Sequence, residues 1–159
     1  MKNFIALASL FIFGLSHTIN AQSTDEKVDG KPIKIKKCSC SQEYNESKCG
    51  NAIDANLKTD WNAGGFAPQT INLELKKTRT ITEIRWSNQM NPNGEVSFEF
   101  KFYNKSKELI TTINKNYNSI DAQTTTTLFN VENVKTIEIT ITKSPSWIAV
   151  YEIIPYGKK

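Results

Sequence analysis

Between Asn51 and Trp61 the chain reads Asn-Ala-Ile-Asp-Ala-Asn-Leu-Lys-Thr-Asp-Trp. Asp54, Asn56, Thr59 and Asp60 thereby bring a carboxylate, an amide, a hydroxyl and a second carboxylate within seven residues. Hard oxygen donors at this spacing can wrap a cation such as calcium. The same residues also satisfy the backbone of Asx turns, so the spacing alone leaves both readings open. Farther on, Glu152 is an acid in the otherwise apolar run Ile148 to Ile154. A carboxylate buried in such a strand is costly unless it is paired or metal-bound.

Other chemistry is excluded by what is missing. His17 is the only histidine, and it falls in a segment that reads as an export leader. Lys2 supplies the positive end, Phe4 to Leu15 the apolar stretch, and Ala21 the small residue before cleavage, so residues 1–21 are expected to be a signal peptide. A mature chain starting near Gln22 has no imidazole. Ser-His-Asp and Cys-His mechanisms and His-ligated zinc are then unavailable. Glycoside hydrolysis through two carboxylates needs no histidine, but it normally needs a larger scaffold. No enzymatic activity is expected.

Cys38, Cys40 and Cys49 crowd into twelve residues. Export implies an oxidising compartment, so one local disulfide is expected, joining Cys49 to Cys40 or to Cys38. The remaining thiol could pair with another chain. The 159 residues carry a formal charge of +4, and Lys31, Lys34, Lys36 and Lys37 supply much of the excess. Residues 22–43 read as a flexible, solvated spacer holding the first cysteines, and no nucleic-acid partner is expected.

The elements that must position these residues are strands. Val96, Phe98, Phe100 and Phe102 alternate with Ser97, Glu99, Lys101 and Tyr103; Ile71, Leu73 and Leu75 alternate with Asn72 and Glu74; Ile137, Ile139 and Ile141 alternate with Glu138 and Thr140. A period of two marks half-buried strands. Thr80 to Trp86, Glu108 to Ile113, Thr124 to Val131 and Ile148 to Ile154 carry β-branched or aromatic residues between turn signals such as Asn93-Gly94 and Ser144-Pro145. No stretch holds a helical stripe for three turns. One all-β domain over 44–159 is expected, an antiparallel β-sandwich of jelly-roll type with function in its end loops.

The ordered motifs resemble those of the discoidin, or coagulation factor V/VIII type C, domains and of the similar bacterial family 32 carbohydrate-binding modules. Asn51 to Trp61 is similar to the family's N-A-x-D-G-N-x-x-T-x-W, with Ala55 in place of the glycine. Gly64 to Leu75 is similar to G-x-x-P-Q-W-I-x-I-D-L, Gln89 to Gly94 to a Q-x-P-x-G turn, and Trp147 to Ile153 to the terminal A-x-x-E-I strand. The resemblance implies a galactose-binding-like fold and a structural calcium ion. That ion would touch the side chains of Asp54, Thr59 and Glu152 and the backbone oxygens of Asn51, Asn56, Thr59 and Tyr151. It also implies a shallow ligand site of one aromatic with polar neighbours. The candidates are Trp147, the loop residues Asn88, Gln89, Asn91 and Asn93, and a wall of Asn62 and Phe66; Trp61 and Trp86 are assigned to packing. The expected function is a secreted, cell-surface or periplasmic binding module for carbohydrate. The alternative is an adhesion module that binds anionic lipid or a protein partner.

Overall fold

The computed structural model describes residues 30–159. The expected leader over 1–21 and the start of the expected spacer lie outside the described residues. The described chain forms β1 (Lys31–Pro32), β2 (Ile35–Cys40), a 3-10 helix (Cys49–Ile53), β3 (Trp61–Asn62), β4 (Gln69–Gln89), β5 (Gly94–Tyr103), β6 (Leu109–Ser119), β7 (Thr124–Lys143) and β8 (Ala149–Lys158). Every strand pairing is antiparallel.

Two sheets arise because β4 and β7 are long enough to bend and serve both. The first half of β4 pairs with β2 and with the second half of β7, as in Ile71 opposite Ile139, and β5 and β6 extend this layer. The second half of β4 pairs with β8 and with the first half of β7, as in Trp86 opposite Ile153 and Thr125. Register breaks between Glu74 and Arg79, and again up to Glu83, mark the bend. Extra residues at such bulges increase twist and turn a strand from one layer to the other.

The alternating apolar residues of both layers meet in one core. Ile71, Leu73, Leu75, Phe98, Phe100, Phe102, Ile137, Ile139 and Ile141 are all buried, as are Ile81, Ile84, Trp86, Val131, Val134, Val150 and Ile153. Trp86 packs on Phe98 with ring centroids 4.4 Å apart, and Phe129 packs edge-on against Phe100 and Phe102. Each such side chain contributes about 1.5–3 kcal/mol through burial. Trp61 is also buried, its indole N–H donating to the Gln42 carbonyl at 2.8 Å.

Two expectations need correction. The runs at Ile71–Leu75 and Thr80–Trp86 are one strand, as are those at Thr124–Val131 and Ile137–Ile141. The apolar alternation lapses at exposed Lys76 and Lys77, where β4 bends without leaving the sheet. Lys31–Pro32 and Ile35–Cys40 are not spacer but strand. Ile33, Ile35, Cys38 and Cys40 pack against the core, with Cys38 opposite Leu73 and Cys40 opposite Ile71, while the intervening lysines face out. Cys40 is bonded to Cys49, with Cα atoms 5.7 Å apart, and Cys38 keeps its thiol. Closing this nine-residue separation stabilises the fold by about 2.5 kcal/mol on a chain-entropy account.

Candidate functional site

Trp147 is held just ahead of β8 by a backbone clamp. The Ala63 amide donates to the Ile148 carbonyl and the Ile148 amide donates to the Gly65 carbonyl, both at 2.9 Å. The clamp sets Trp147 beside Phe66. On its other side stands Tyr44, whose amide donates to the Asn62 carbonyl at 2.8 Å. Tyr44 lies over Gly64, where φ is +68° and an added Cβ would come within 3.0 Å of the ring. Glycine there serves both the left-handed backbone and the close approach.

The three rings form a cluster open to solvent. Trp147 is 45% exposed, Tyr44 47% and Phe66 58%. Trp147 meets Tyr44 and Phe66 edge-on, with centroids 6.1 and 6.4 Å apart and interplanar angles of 78° and 86°. Such T-shaped pairs are favoured by the ring quadrupoles. Buried Gln69 anchors the Phe66 backbone by donating from Nε2 to its carbonyl at 3.1 Å, while its Oε1 accepts from the Ser41 hydroxyl.

The polar candidates are distributed unevenly around this cluster. Asn91 is exposed and adjoins it, its amide donating to Ser146 Oγ at 3.4 Å while that hydroxyl donates to the Trp147 carbonyl. Gln89 is exposed in the same region. Asn62 lies beneath, its Oδ1 accepting from the Gly64 amide at 2.8 Å and so tightening the turn. Asn93 accepts from the Asp121 amide and likewise serves loop structure. Asn88 is only 3% exposed and lines the interior with Trp86 and Phe98, away from the solvent-facing rings. Tyr44 and Gln69 were missing from the sequence-based set; neither lies in an alternating run that would mark it.

A second cluster flanks β8. Asp54 Oδ1 accepts from the Asn56 amide at 2.9 Å and Oδ2 from the Thr59 hydroxyl at 2.8 Å. The Asn56 carbonyl faces the same hydroxyl and also accepts from the Thr59 amide. Asn51 donates from Nδ2 to the Asp60 carbonyl at 3.0 Å, closing the loop. Ala55 adopts φ +62°, a left-handed conformation strained for a residue with a Cβ.

Glu152 lies beside this loop, next to Tyr151 on β8, and is 6% exposed with Oε2 enclosed and without a hydrogen-bond partner. Burial pushes its carboxyl up to about 7. The Ala55 amide acts against that rise and the Asp54 charge adds to it. Structure therefore brings Asp54, Asn56, Thr59 and Glu152 to one place. Among the described residues, no group of three or more His, Cys, Asp or Glu side chains is placed to hold a metal ion. A cation here would rely on two carboxylates and neutral oxygens, a donor set suited to calcium rather than to transition metals.

No protein-family profile matches the chain, and no curated protein matches it. Solved structures do. A family 32 module of AlyQ in complex with 4,5-unsaturated mannuronic acid superposes with a TM-score of 0.68 at 18% identity, over 79% of this chain and 97% of that one. A pectin-binding carbohydrate-binding module gives 0.67 at 20% identity, over 77% and 91%. The family 32 module of NanJ from C. perfringens, in complex with galactose, gives 0.62 at 19% identity, over 76% and 92%. With its antiparallel two-layer architecture, the chain has the galactose-binding-like, discoidin-type β-sandwich fold of the family 32 carbohydrate-binding modules.

Proposed function

We propose that this chain is a secreted, non-catalytic module that binds carbohydrate on the Tyr44–Phe66–Trp147 platform. The observation that carries this reading is the exposure of three mutually packed aromatic rings on the end loops of a fold shared with carbohydrate-binding modules. A pyranose presents an apolar C–H face that an aromatic covers, and its hydroxyls need oriented donors and acceptors. Asn91 and Gln89 are exposed amides at the adjoining loop that can supply them. Trp147, braced on both sides, loses little freedom when it is covered.

Calcium held by Asp54, Thr59 and Glu152, with the backbone oxygens of Asn51, Asn56, Thr59 and Tyr151, is the second part of this reading. Its support is the enclosed, unpartnered Glu152 oxygen beside the Asp54 carboxylate. The ion would supply the counter-charge that lets two neighbouring carboxylates stay ionised out of water. Chain residues do the rest: Asp54 and Thr59 tie the loop to itself, and Glu152 joins it to β8. The Cys40–Cys49 disulfide fits an exported protein.

The test is a glycan array probed with the purified chain in millimolar calcium. It should display uronate, chitosan and galactose oligomers beside neutral glucans, and should be repeated with Trp147→Ala. Selective binding that disappears in the variant is expected. A blank array from folded protein, or binding untouched by the substitution, overturns the platform.

A further inference from the structure

At the end of the sandwich opposite Trp147, the β4 bend, β1 and the last residues of β8 enclose an open groove of about 800 Å³. Seven of its eleven lining residues are lysine or arginine, and none is acidic. Backbone pairing fixes the charges in place. Lys31 is opposite Gly157, and the Lys76 amide donates to the Lys34 carbonyl at 2.9 Å. The close approach of β8 to β4 forms the groove's inner wall, since a Cβ on Gly157 would lie 1.9 Å from the Thr80 carbonyl oxygen.

Several lysines elsewhere among the described residues are paired with carboxylates. Lys36 and Lys135 share Glu74, Lys101 reaches Glu99 and Glu138, and Lys143 reaches Glu95. Among the described residues, Lys31, Lys34, Lys76, Lys77 and Arg79 form no ion pair with an acidic side chain. Like charges gathered in a concavity repel one another and focus a positive field into it. An anion entering the groove relieves the repulsion and meets several ammonium groups at once.

We propose that this groove is a second binding site, separate from the aromatic platform, and that it takes an acidic polysaccharide through its carboxylate or sulfate groups. Exposed Pro32 and half-buried Ile33 give the floor an apolar strip between the charges, which suits the C–H faces of a sugar chain with acidic substituents. The lining has no aromatic ring on which a nucleic-acid base could stack. A single arginine among the seven cations offers little bidentate phosphate recognition. It also presents no large exposed apolar tip to enter a bilayer. Lys31 and Lys34, which read from sequence as part of a solvated spacer, here belong to a built surface.

The experiment is a salt titration of binding by the purified full chain to polygalacturonate, which carries carboxylates, and to heparin, which carries sulfates. Single-stranded DNA and phosphatidylserine vesicles serve as competing classes. Saturable binding to one or both polysaccharides is expected, and the preferred one identifies the acidic group. Lys76→Gln/Lys77→Gln/Arg79→Gln should weaken binding at least about tenfold and flatten the plot of log K against log salt by about three, one per lost ionic contact. Unchanged thermal stability would show that this variant is folded. Lys105→Gln/Lys107→Gln/Lys115→Gln, away from the groove, should bind within about twofold of the parent, as should Trp147→Ala. No binding to either polymer overturns the proposal. So does a triple variant that binds like the control, a loss with Trp147→Ala, or tighter binding to DNA or vesicles.

Discussion

Trp147 stands at nearly a right angle to Phe66, with ring centroids 6.4 Å apart, and Tyr44 repeats the arrangement on its other side at 6.1 Å. Two perpendicular neighbours thus hold the central ring while 45% of the residue stays open to solvent. Aromatic surface kept rigid yet exposed is what stacking on a sugar requires.

Truncating Trp147 to alanine is expected to abolish measurable glycan binding while leaving the fold intact, because the ring lies outside the core. Tyr44→Ala should weaken binding by about tenfold, by removing one brace. Calorimetric titration with whichever glycan the array selects, beside thermal melts of both variants, checks this. A melting point that falls by much more than 5 °C for Trp147→Ala would instead assign the ring to packing.

Calcium at a hundredfold excess over its dissociation constant is expected to stabilise the chain by about 2.7 kcal/mol. For a domain of this size that is a rise in melting temperature of about 10 °C over the chelated protein. Glu152→Gln should remove most of the rise. Differential scanning fluorimetry with calcium or chelator reads it directly, and equal melting points in the two conditions would sink the assignment.

Tyr117 gives the fold a limit at alkaline pH. Its hydroxyl lies 2.7 Å from Thr127 Oγ1, which also accepts from the Trp86 indole at 3.4 Å. Burial raises the phenol above its ordinary 10.0, with the Thr127 hydrogen bond acting against the rise. The unfolded chain therefore loses this proton first. Stability from this group is intact below about pH 10 and declines as pH rises through the higher folded value. Tyr117→Phe should cost about 1 kcal/mol at neutral pH and show a shallower alkaline decline. Urea midpoints measured from pH 8 to 11 test the sign.

Gly157→Ala should be among the most damaging single changes. Its methyl would lie 1.9 Å from the Thr80 carbonyl, backbone against backbone, so β8 must separate from β4. A cost of about 3 kcal/mol or more is expected, seen as a lower urea midpoint with an unchanged slope.

Non-reducing peptide mapping should recover Cys40 linked to Cys49 and a single alkylatable thiol at Cys38. Burial holds that thiol above its ordinary value, so labelling in the native protein should be slow at neutral pH. A Cys38–Cys49 peptide would contradict the pairing.

The strands were legible where apolar residues alternate with polar ones, because burial of one sheet face imposes that period. Phe98, Phe100 and Phe102 are the clearest instance. The pattern faded where physics did not enforce it. Asn114, Asn116 and Asn118 face solvent on β6 and carry no strand signal, so the strand runs beyond the Ile113 limit read from sequence. Lys36 and Lys37 disguise β2, whose burial is partial, and the β4 bend is carried by pairing register rather than by a Gly or Pro turn. At the site, the clustering of oxygen donors from Asp54 to Thr59 was legible, but side-chain chemistry alone fits a self-satisfied Asx turn as well as a cation loop. Asn88 was misplaced on the ligand face because an amide near a turn looks the same whether it points out or in. Tyr44 was missed because its role depends on Gly64 and Trp147, far from it in sequence.

Lys31 pairs with Gly157, so the described chain enters the sandwich beside the end of β8, about 30 Å along that strand from Ala149 and the neighbouring Trp147. A segment joined ahead of residue 30 or beyond residue 159 therefore departs from the far pole. A tether at either of those points leaves the pole that carries the aromatic rings unobstructed, like a lamp at the end of its stem.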